Sequence, residues 1–188
     1  MNNILRKLIK EYQENQDLLY GIQKLSNEIR ANSKKVIALL RRENIKESEK
    51  TFKNIEDRFQ LINEVVEQHK DLLNQNFYKE AVEEYIEAIT FYNFLTKSKK
   101  KTSKFIKVEP KEFISGICDF TGELVRRAIT IASPKNLKEL ISYQRTVENI
   151  VQELTKVGFQ GKLRQKYDET ERNLRKLENI IYDIKLKK

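Results

Sequence analysis

The chain has 188 residues and a formal net charge of +9, because 37 Lys and Arg outnumber 28 Asp and Glu. Five glycines and two prolines leave few turn-forming residues for a β-rich fold, and one cysteine excludes an internal disulfide. No long apolar run or signal-peptide core occurs, so we expect a cytoplasmic protein without a membrane span. The positive charge favours a polyanionic partner, with a merely solvated lysine-rich surface as the alternative.

Apolar residues recur at steps of three and four along most of the chain, which is the spacing of amphipathic helices. We therefore predict an all-α, single-domain bundle over residues 1–188, built from about six long amphipathic helices. The predicted helices run from Asn2 to about Arg42, Lys46 to about Leu73, Phe77 to Leu95, Pro110 to about Ala132, Ser133 to about Gly158, and onward from near Gly161.

Glu84 lies where the third helix should carry an apolar residue. Its neighbours on that predicted stripe are Phe77, Ala81, Ala88, Phe91 and Leu95. A carboxylate in a core is costly unless a cation or hydrogen-bond donors meet it. Glu87 follows one turn later on the same side of the helix.

Asp119 and Glu123 are spaced one turn apart in the fourth helix, away from its predicted apolar stripe of Phe113, Ile117, Phe120, Leu124 and Ala128. Two helices thus supply four acids, whose hard oxygen atoms suit Mg²⁺ or Mn²⁺. The alternative is that the acids are structural and that a cation such as Arg127 compensates Glu123.

A basic row follows the C-terminal half of the first helix and is long enough to track several phosphates. Its members are Arg30, Lys34, Lys35, Arg41 and Arg42. A lysine-rich loop near residues 97–104 is a second run of positive charge, and either run could instead be a solvated surface. The last helix carries a heptad seam from Leu163 to Ile184, which would pack inside the monomer or against another copy.

Histidine chemistry has little support in this sequence. His69 is the only histidine, and its charged surroundings predict a surface position. Acid–base RNA cleavage by two histidines within one chain is therefore excluded, and no glycine-rich phosphate loop indicates an NTPase. Cys118 is expected to be a small buried residue rather than a nucleophile. Carboxylates with a divalent cation remain the plausible catalytic groups.

Segments of four predicted helices, taken in chain order, resemble the translin/Trax family over nearly the whole chain. They are the stretch Leu25–Arg42, the Glu84-Tyr85-Ile86-Glu87-Ala88 motif, the stretch Asp119–Arg126, and the stretches Leu163–Asp168 and Lys176–Ile184 of the closing helix. The retained acids make the chain similar to the Trax branch. Its short loop between the acidic helices and its early end imply a compact archaeal or similar microbial relative that assembles with itself.

The resemblance implies an all-α fold, a hollow and roughly octameric homo-oligomer, and binding of single-stranded RNA or DNA inside that shell. For the Trax branch it also implies Mg²⁺-dependent or Mn²⁺-dependent endoribonuclease activity. By matching position, Glu84, Glu87 and Asp119 would be catalytic metal ligands, with Glu123 as a fourth. A non-catalytic particle that binds single strands and a helical scaffold protein are the alternatives.

Overall fold

The computed structural model describes residues 2–66, 70–106 and 108–186. Across those ranges the chain forms six α-helices and no β-strand, which confirms the predicted all-α class. The helices are α1 (Asn2–Arg41), α2 (Ile45–Val65), α3 (Asn76–Thr96), α4 (Pro110–Ile131), α5 (Leu137–Leu154) and α6 (Gly161–Leu186). They group into two compact units, Met1–Val108 and Glu109–Lys188, and the prediction of a single domain stays a prediction.

In the first unit, α1 packs against both α2 and α3. A short turn follows α1, and Asn44 caps α2 by accepting a hydrogen bond from the Glu47 backbone N–H at 3.2 Å. The turn sends α2 back antiparallel along the C-terminal half of α1, where buried residues begin at Ile22. The next helix, α3, then runs parallel to α1.

The core of the first unit is aromatic. Phe52 and Phe59 of α2 meet Tyr78, Tyr85 and Tyr92 of α3 edge to face, with ring centroids 5.2–6.4 Å apart. Such contacts add stability beyond the area that the rings bury. They fix the register of α2 against α3, and therefore fix which residues of α3 face α1.

In the second unit, α6 packs against both α4 and α5. Its buried positions are Tyr167, Thr170, Asn173, Leu177, Ile181 and Ile184. They follow the predicted heptad seam except at Leu163 and Leu174, which the seam included and which are only partly buried; Asn173 is buried in place of Leu174. Asn173 donates a 3.0 Å hydrogen bond to Thr121 of α4, which ties the seam to its neighbour. The seam therefore packs inside the monomer, as one of the two alternatives predicted.

Two predicted helices have wrong bounds. The helix α2 ends at Val65 rather than near Leu73, and Lys70–Asn74 forms a separate 3₁₀ turn whose Leu72 is buried. The helix α5 begins at Leu137, after a 3₁₀ turn at Pro134–Asn136, and ends at Leu154 rather than near Gly158. Asn136 donates to the Ile131 carbonyl at 2.7 Å, which separates α4 from α5.

No helix within the described ranges is both long enough and apolar enough to span a bilayer. The surface position predicted for His69 lies outside the described residues.

Candidate metal and nucleic-acid site

Glu84 lies at the margin of the core rather than within it. Its side chain is 23% exposed, and its Oε1 atom is 3.2 Å from the Nζ atom of Lys34 on α1. Ala81, Ala88 and Phe91 are buried as predicted, whereas Phe77 and Leu95 are only partly buried. The physical reason is that α3 buries most of its circumference, including Tyr85 and Ile86, so no single stripe defines its inner face.

The buried acids of α3 are Glu83 and Glu87, which are 6% and 9% exposed. The sequence pattern predicted a role for Glu87 but not for Glu83. Glu83 lies one turn before Glu87, so an i, i+4 search for carboxylates would have found it. Burial makes both carboxylates dependent on the groups that contact them.

Two ion pairs join α1 to α3 at successive turns. Arg30 lies 3.1 Å from Glu80, and Lys34 lies 3.2 Å from Glu84. Two residues of the predicted phosphate-binding row, Arg30 and Lys34, therefore already form ion pairs with carboxylates of the same unit. A nucleic acid or a metal ion would compete with these contacts.

The other three residues of the row, Lys35, Arg41 and Arg42, are exposed. Lys35 points away from the edge of α1 that carries Arg30 and Lys34, because it is one residue, or about 100°, further round the helix. The row predicted as one surface thus lies on two sides of α1: Arg41, seven residues after Lys34, returns to the edge that carries Arg30 and Lys34, whereas Lys35 lies on the neighbouring side.

The lysine-rich loop after α3 is anchored to the first unit. The side chain of Asn93 donates to the Lys100 carbonyl at 2.8 Å and accepts from the Lys100 N–H at 3.0 Å. The Ser103 N–H donates to the Tyr85 hydroxyl at 2.9 Å. Lys100 lies 3.7 Å from Glu56, while its loop neighbours Lys99 and Lys101 stay exposed. The loop therefore presents lysines from a defined backbone.

In the second unit, Asp119 accepts a hydrogen bond from Lys166 of α6. Glu123 is 6% exposed and lies 3.8 Å from Arg126 of the next turn. Arg127, the cation considered above for Glu123, lies 3.6 Å from Glu139. Both predicted acids of α4 thus have cations close by within their own unit.

The predicted apolar stripe of α4 is wrong at its start, because Phe113 is 46% exposed. The buried positions of the first two turns include Glu112, Ser115 and Gly116, so the buried face there is rotated away from Phe113. Cys118 is buried, and burial raises the pKa of its thiol, which agrees with the expected structural role.

Each unit supplies two of the four predicted ligands, Glu84 with Glu87 and Asp119 with Glu123. Among the residues that the structure describes, no three His, Cys, Asp or Glu side chains are grouped so as to hold a metal ion. The donor type suits Mg²⁺ or Mn²⁺, yet Lys34 and Lys166 occupy one carboxylate in each unit. The ligand set therefore stays a prediction.

Comparison with known proteins now defines the family. A model of the Translin family matches residues 20–188, and the chain belongs to that family. It is similar to the Translin-associated protein X homolog of Schizosaccharomyces pombe, with 27% identity over 192 residues that cover 90% of this chain and 82% of that protein. The predicted Trax-like resemblance is confirmed.

Solved structures share the fold. AfC3PO superposes with a TM-score of 0.83 at 23% identity, covering 98% of both chains. Apo-NeC3PO superposes with a TM-score of 0.82 at 21% identity, covering 95% of both chains. A complex of AfC3PO with duplex RNA gives 0.76 at 22% identity, covering 98% of this chain and 97% of that one.

Proposed function

We propose that this protein binds single-stranded RNA or DNA through the first unit. The observation that carries the proposal is a concentration of exposed cations at one end of that unit, where α1 and α3 end and α2 begins. This basic end consists of Lys35, Arg41, Arg42, Lys46, Lys97 and Lys99. Clustered cations of this kind bind phosphates with little dependence on base sequence.

Aromatic rings accompany these cations. Lys97 Nζ lies 4.8 Å from the centroid of the Phe94 ring, and Lys104 Nζ lies 5.1 Å from that of Phe105. Both rings are partly exposed. Single-strand-binding proteins combine a positive groove with aromatic side chains on which bases stack. The pairing of Lys97 with Phe94 supports such a surface beside the basic end.

Support for nucleic-acid binding in general comes from AfC3PO, a protein of this fold whose structure has been solved in complex with duplex RNA. The test is fluorescence anisotropy of a labelled single-stranded oligonucleotide over a range of KCl concentrations, with a duplex of the same sequence for comparison. We expect the logarithm of the affinity to fall linearly with the logarithm of the salt concentration, by about 0.7 per phosphate contacted. Absence of binding at low salt would refute the proposal.

Endoribonuclease activity that depends on Mg²⁺ or Mn²⁺ is the catalytic part of the proposal, with Glu84, Glu87, Asp119 and Glu123 as ligands. A bound divalent ion would supply an activated water and stabilise charge on the phosphoryl group. Support comes from the resemblance of the acidic motifs to the Trax branch and from the low exposure of Glu87 and Glu123. The chain's own residues would bind the RNA phosphates next to these acids.

A non-catalytic binding particle is the alternative, and one observation favours it. Glu84 and Asp119 already contact Lys34 and Lys166, so structural ion pairs would account for them without a metal ion. A cleavage assay with and without EDTA separates the two functions. A protein that neither binds nor cleaves would instead be the helical scaffold considered above.

Assembly completes the proposal. We expect a homo-oligomer in the cytoplasm, with an octamer as the particle that the family resemblance implies. Light scattering on the purified protein measures the particle mass directly. A monomer at micromolar concentration would contradict this part of the proposal and leave the binding test unaffected.

A further inference from the structure

The first half of α1 extends beyond its partners within the first unit. The helix has 40 residues, whereas α2 and α3 have 21 each. Because a short turn folds α2 back along the C-terminal half of α1, the buried positions of α1 begin only at Ile22. Residues 2–19, a helical length of about 27 Å at the usual rise, therefore form an overhang without a buried side chain, in which only Asn15, Leu18 and Leu19 are partly buried.

The overhang continues the seam that is buried further along the same helix. The seam follows alternating steps of three and four through Leu5, Leu8, Tyr12, Asn15, Leu19, Ile22, Ser26, Ile29, Ser33, Val36 and Leu40. From Ile22 onward every seam residue is buried. In the overhang, Leu5 and Leu8 are each 55% exposed and Tyr12 is 65% exposed. The same packing pattern thus changes from buried to exposed where α2 ends.

The exposed face is wide as well as periodic. Ile4 and Ile9 flank the seam on either side and are 68% and 47% exposed. An apolar stripe of about 100° or more is typical of a helix face that is covered by other parts of a protein. The face therefore suits packing against other helices.

We propose that residues 2–19 pack antiparallel against the same segment of a second copy of this chain. The segment holds three cations, Arg6, Lys7 and Lys10, followed by three anions, Glu11, Glu14 and Asp17. Antiparallel pairing places the basic half of one copy beside the acidic half of the other, within the range of about 10 Å over which surface charges interact. Parallel pairing would set like charges side by side.

Symmetry and charge both favour a second copy of this chain as the partner of the exposed face. A twofold axis makes the contact self-complementary, so it joins copies in pairs, either as a dimer or within a larger closed oligomer. The segment has no net charge, since its three cations balance its three anions, and it lacks the polybasic face that an anionic membrane surface attracts. The inference does not depend on nucleic-acid binding.

The first test introduces two charges into the face. Leu8→Lys with Tyr12→Lys should lower the particle mass at least twofold in light scattering, because the lysines oppose their counterparts across the twofold axis. The matched control, Asn3→Lys with Gln13→Lys, adds the same charge to the polar face and should keep the wild-type mass. Circular dichroism should show both variants folded. An unchanged mass for the first variant would overturn the proposal, as would a monomeric wild type.

The second test reports orientation by cysteine cross-linking in the full chain, whose one native cysteine, Cys118, is buried. Tyr12→Cys, near the centre of the segment, should form a disulfide-linked dimer under mild oxidation. Leu5→Cys should not, because antiparallel pairing separates the two copies of that position. Efficient cross-linking of Leu5→Cys would contradict the antiparallel arrangement. Co-sedimentation of a monomeric protein with anionic vesicles would assign the face to a membrane instead.

Discussion

Lys34 Nζ lies 3.2 Å from Glu84 Oε1, so a predicted phosphate-binding residue contacts a predicted metal ligand. The parallel packing of α1 and α3 brings them together, and Arg30 with Glu80 repeats the arrangement one turn earlier. Neither side chain is fully buried, with 60% of Lys34 and 23% of Glu84 exposed. The pair is therefore a replaceable contact rather than a fixed element of the core.

The first prediction concerns the strength of this pair. A double-mutant cycle with Lys34→Met and Glu84→Gln should give a coupling free energy of about 0–1 kcal/mol, as for other solvent-accessible ion pairs. Urea unfolding of the four proteins measures it. If Glu84 also binds a divalent ion, Lys34→Met should raise the affinity for Mn²⁺, because a competing cation has been removed. A lower Mn²⁺ affinity would show that Lys34 supports the site.

The second prediction concerns catalysis. Glu84→Gln and Asp119→Asn keep the side-chain shapes and remove the charges, so RNA cleavage in Mg²⁺ or Mn²⁺ should be lost while folding and RNA binding remain. Glu148→Gln, an exposed carboxylate of α5, is the matched control and should cleave normally. EDTA should abolish cleavage by the wild type. Normal cleavage by Glu84→Gln would assign the acids to structural ion pairs.

The third prediction contrasts two phenylalanines. Phe59 is fully buried among Tyr78 and Tyr85, so Phe59→Ala should cost about 3–5 kcal/mol of unfolding free energy. Phe113 is 46% exposed, so Phe113→Ala should lower the unfolding free energy by less than about 1 kcal/mol. Chemical denaturation of both variants measures the difference. Equal costs would contradict the position of the buried face at the start of α4.

Most of the helical architecture was predictable because apolar periodicity reports one-sided burial. Periodicity does not define an inner face for α3, because this helix buries residues around most of its circumference, so the stripe assigned to Glu84 had no unique direction. Phe113 was misplaced because the buried face of α4 rotates along the helix. The contact between Lys34 and Glu84 depends on the register of α3 against α1. The aromatic contacts between α2 and α3 help to fix that register, and no local sequence pattern predicts it.

The fourth prediction follows from a buried tyrosine. Burial raises the pKa of Tyr78 from its ordinary value of 10.0 to about 12. Above pH 10 the unfolded chain loses this proton while the folded chain keeps it, so the stability contributed by Tyr78 declines between about pH 10 and pH 12. The loss is on the order of 3 kcal/mol.

Urea unfolding at a series of alkaline pH values measures this decline. Tyr78→Phe should make it shallower, because the substituted residue has no proton to lose. Tyr20→Phe removes an exposed hydroxyl as the control and should leave the slope unchanged. If the unfolding free energies of Tyr78→Phe and wild type fall with the same slope above pH 10, the Tyr78 hydroxyl is not shielded from water.

The most direct test of the nucleic-acid proposal compares the salt dependence of single-strand binding in two matched variants. Lys35→Ala, Arg42→Ala and Lys99→Ala together remove three exposed cations from the basic end. Lys135→Ala, Lys138→Ala and Arg175→Ala remove three exposed cations from the second unit. We expect the first variant to bind more weakly and to lose about 2 from the magnitude of the log–log slope, with the second variant unchanged. Equal binding and equal slopes for both variants would contradict the account.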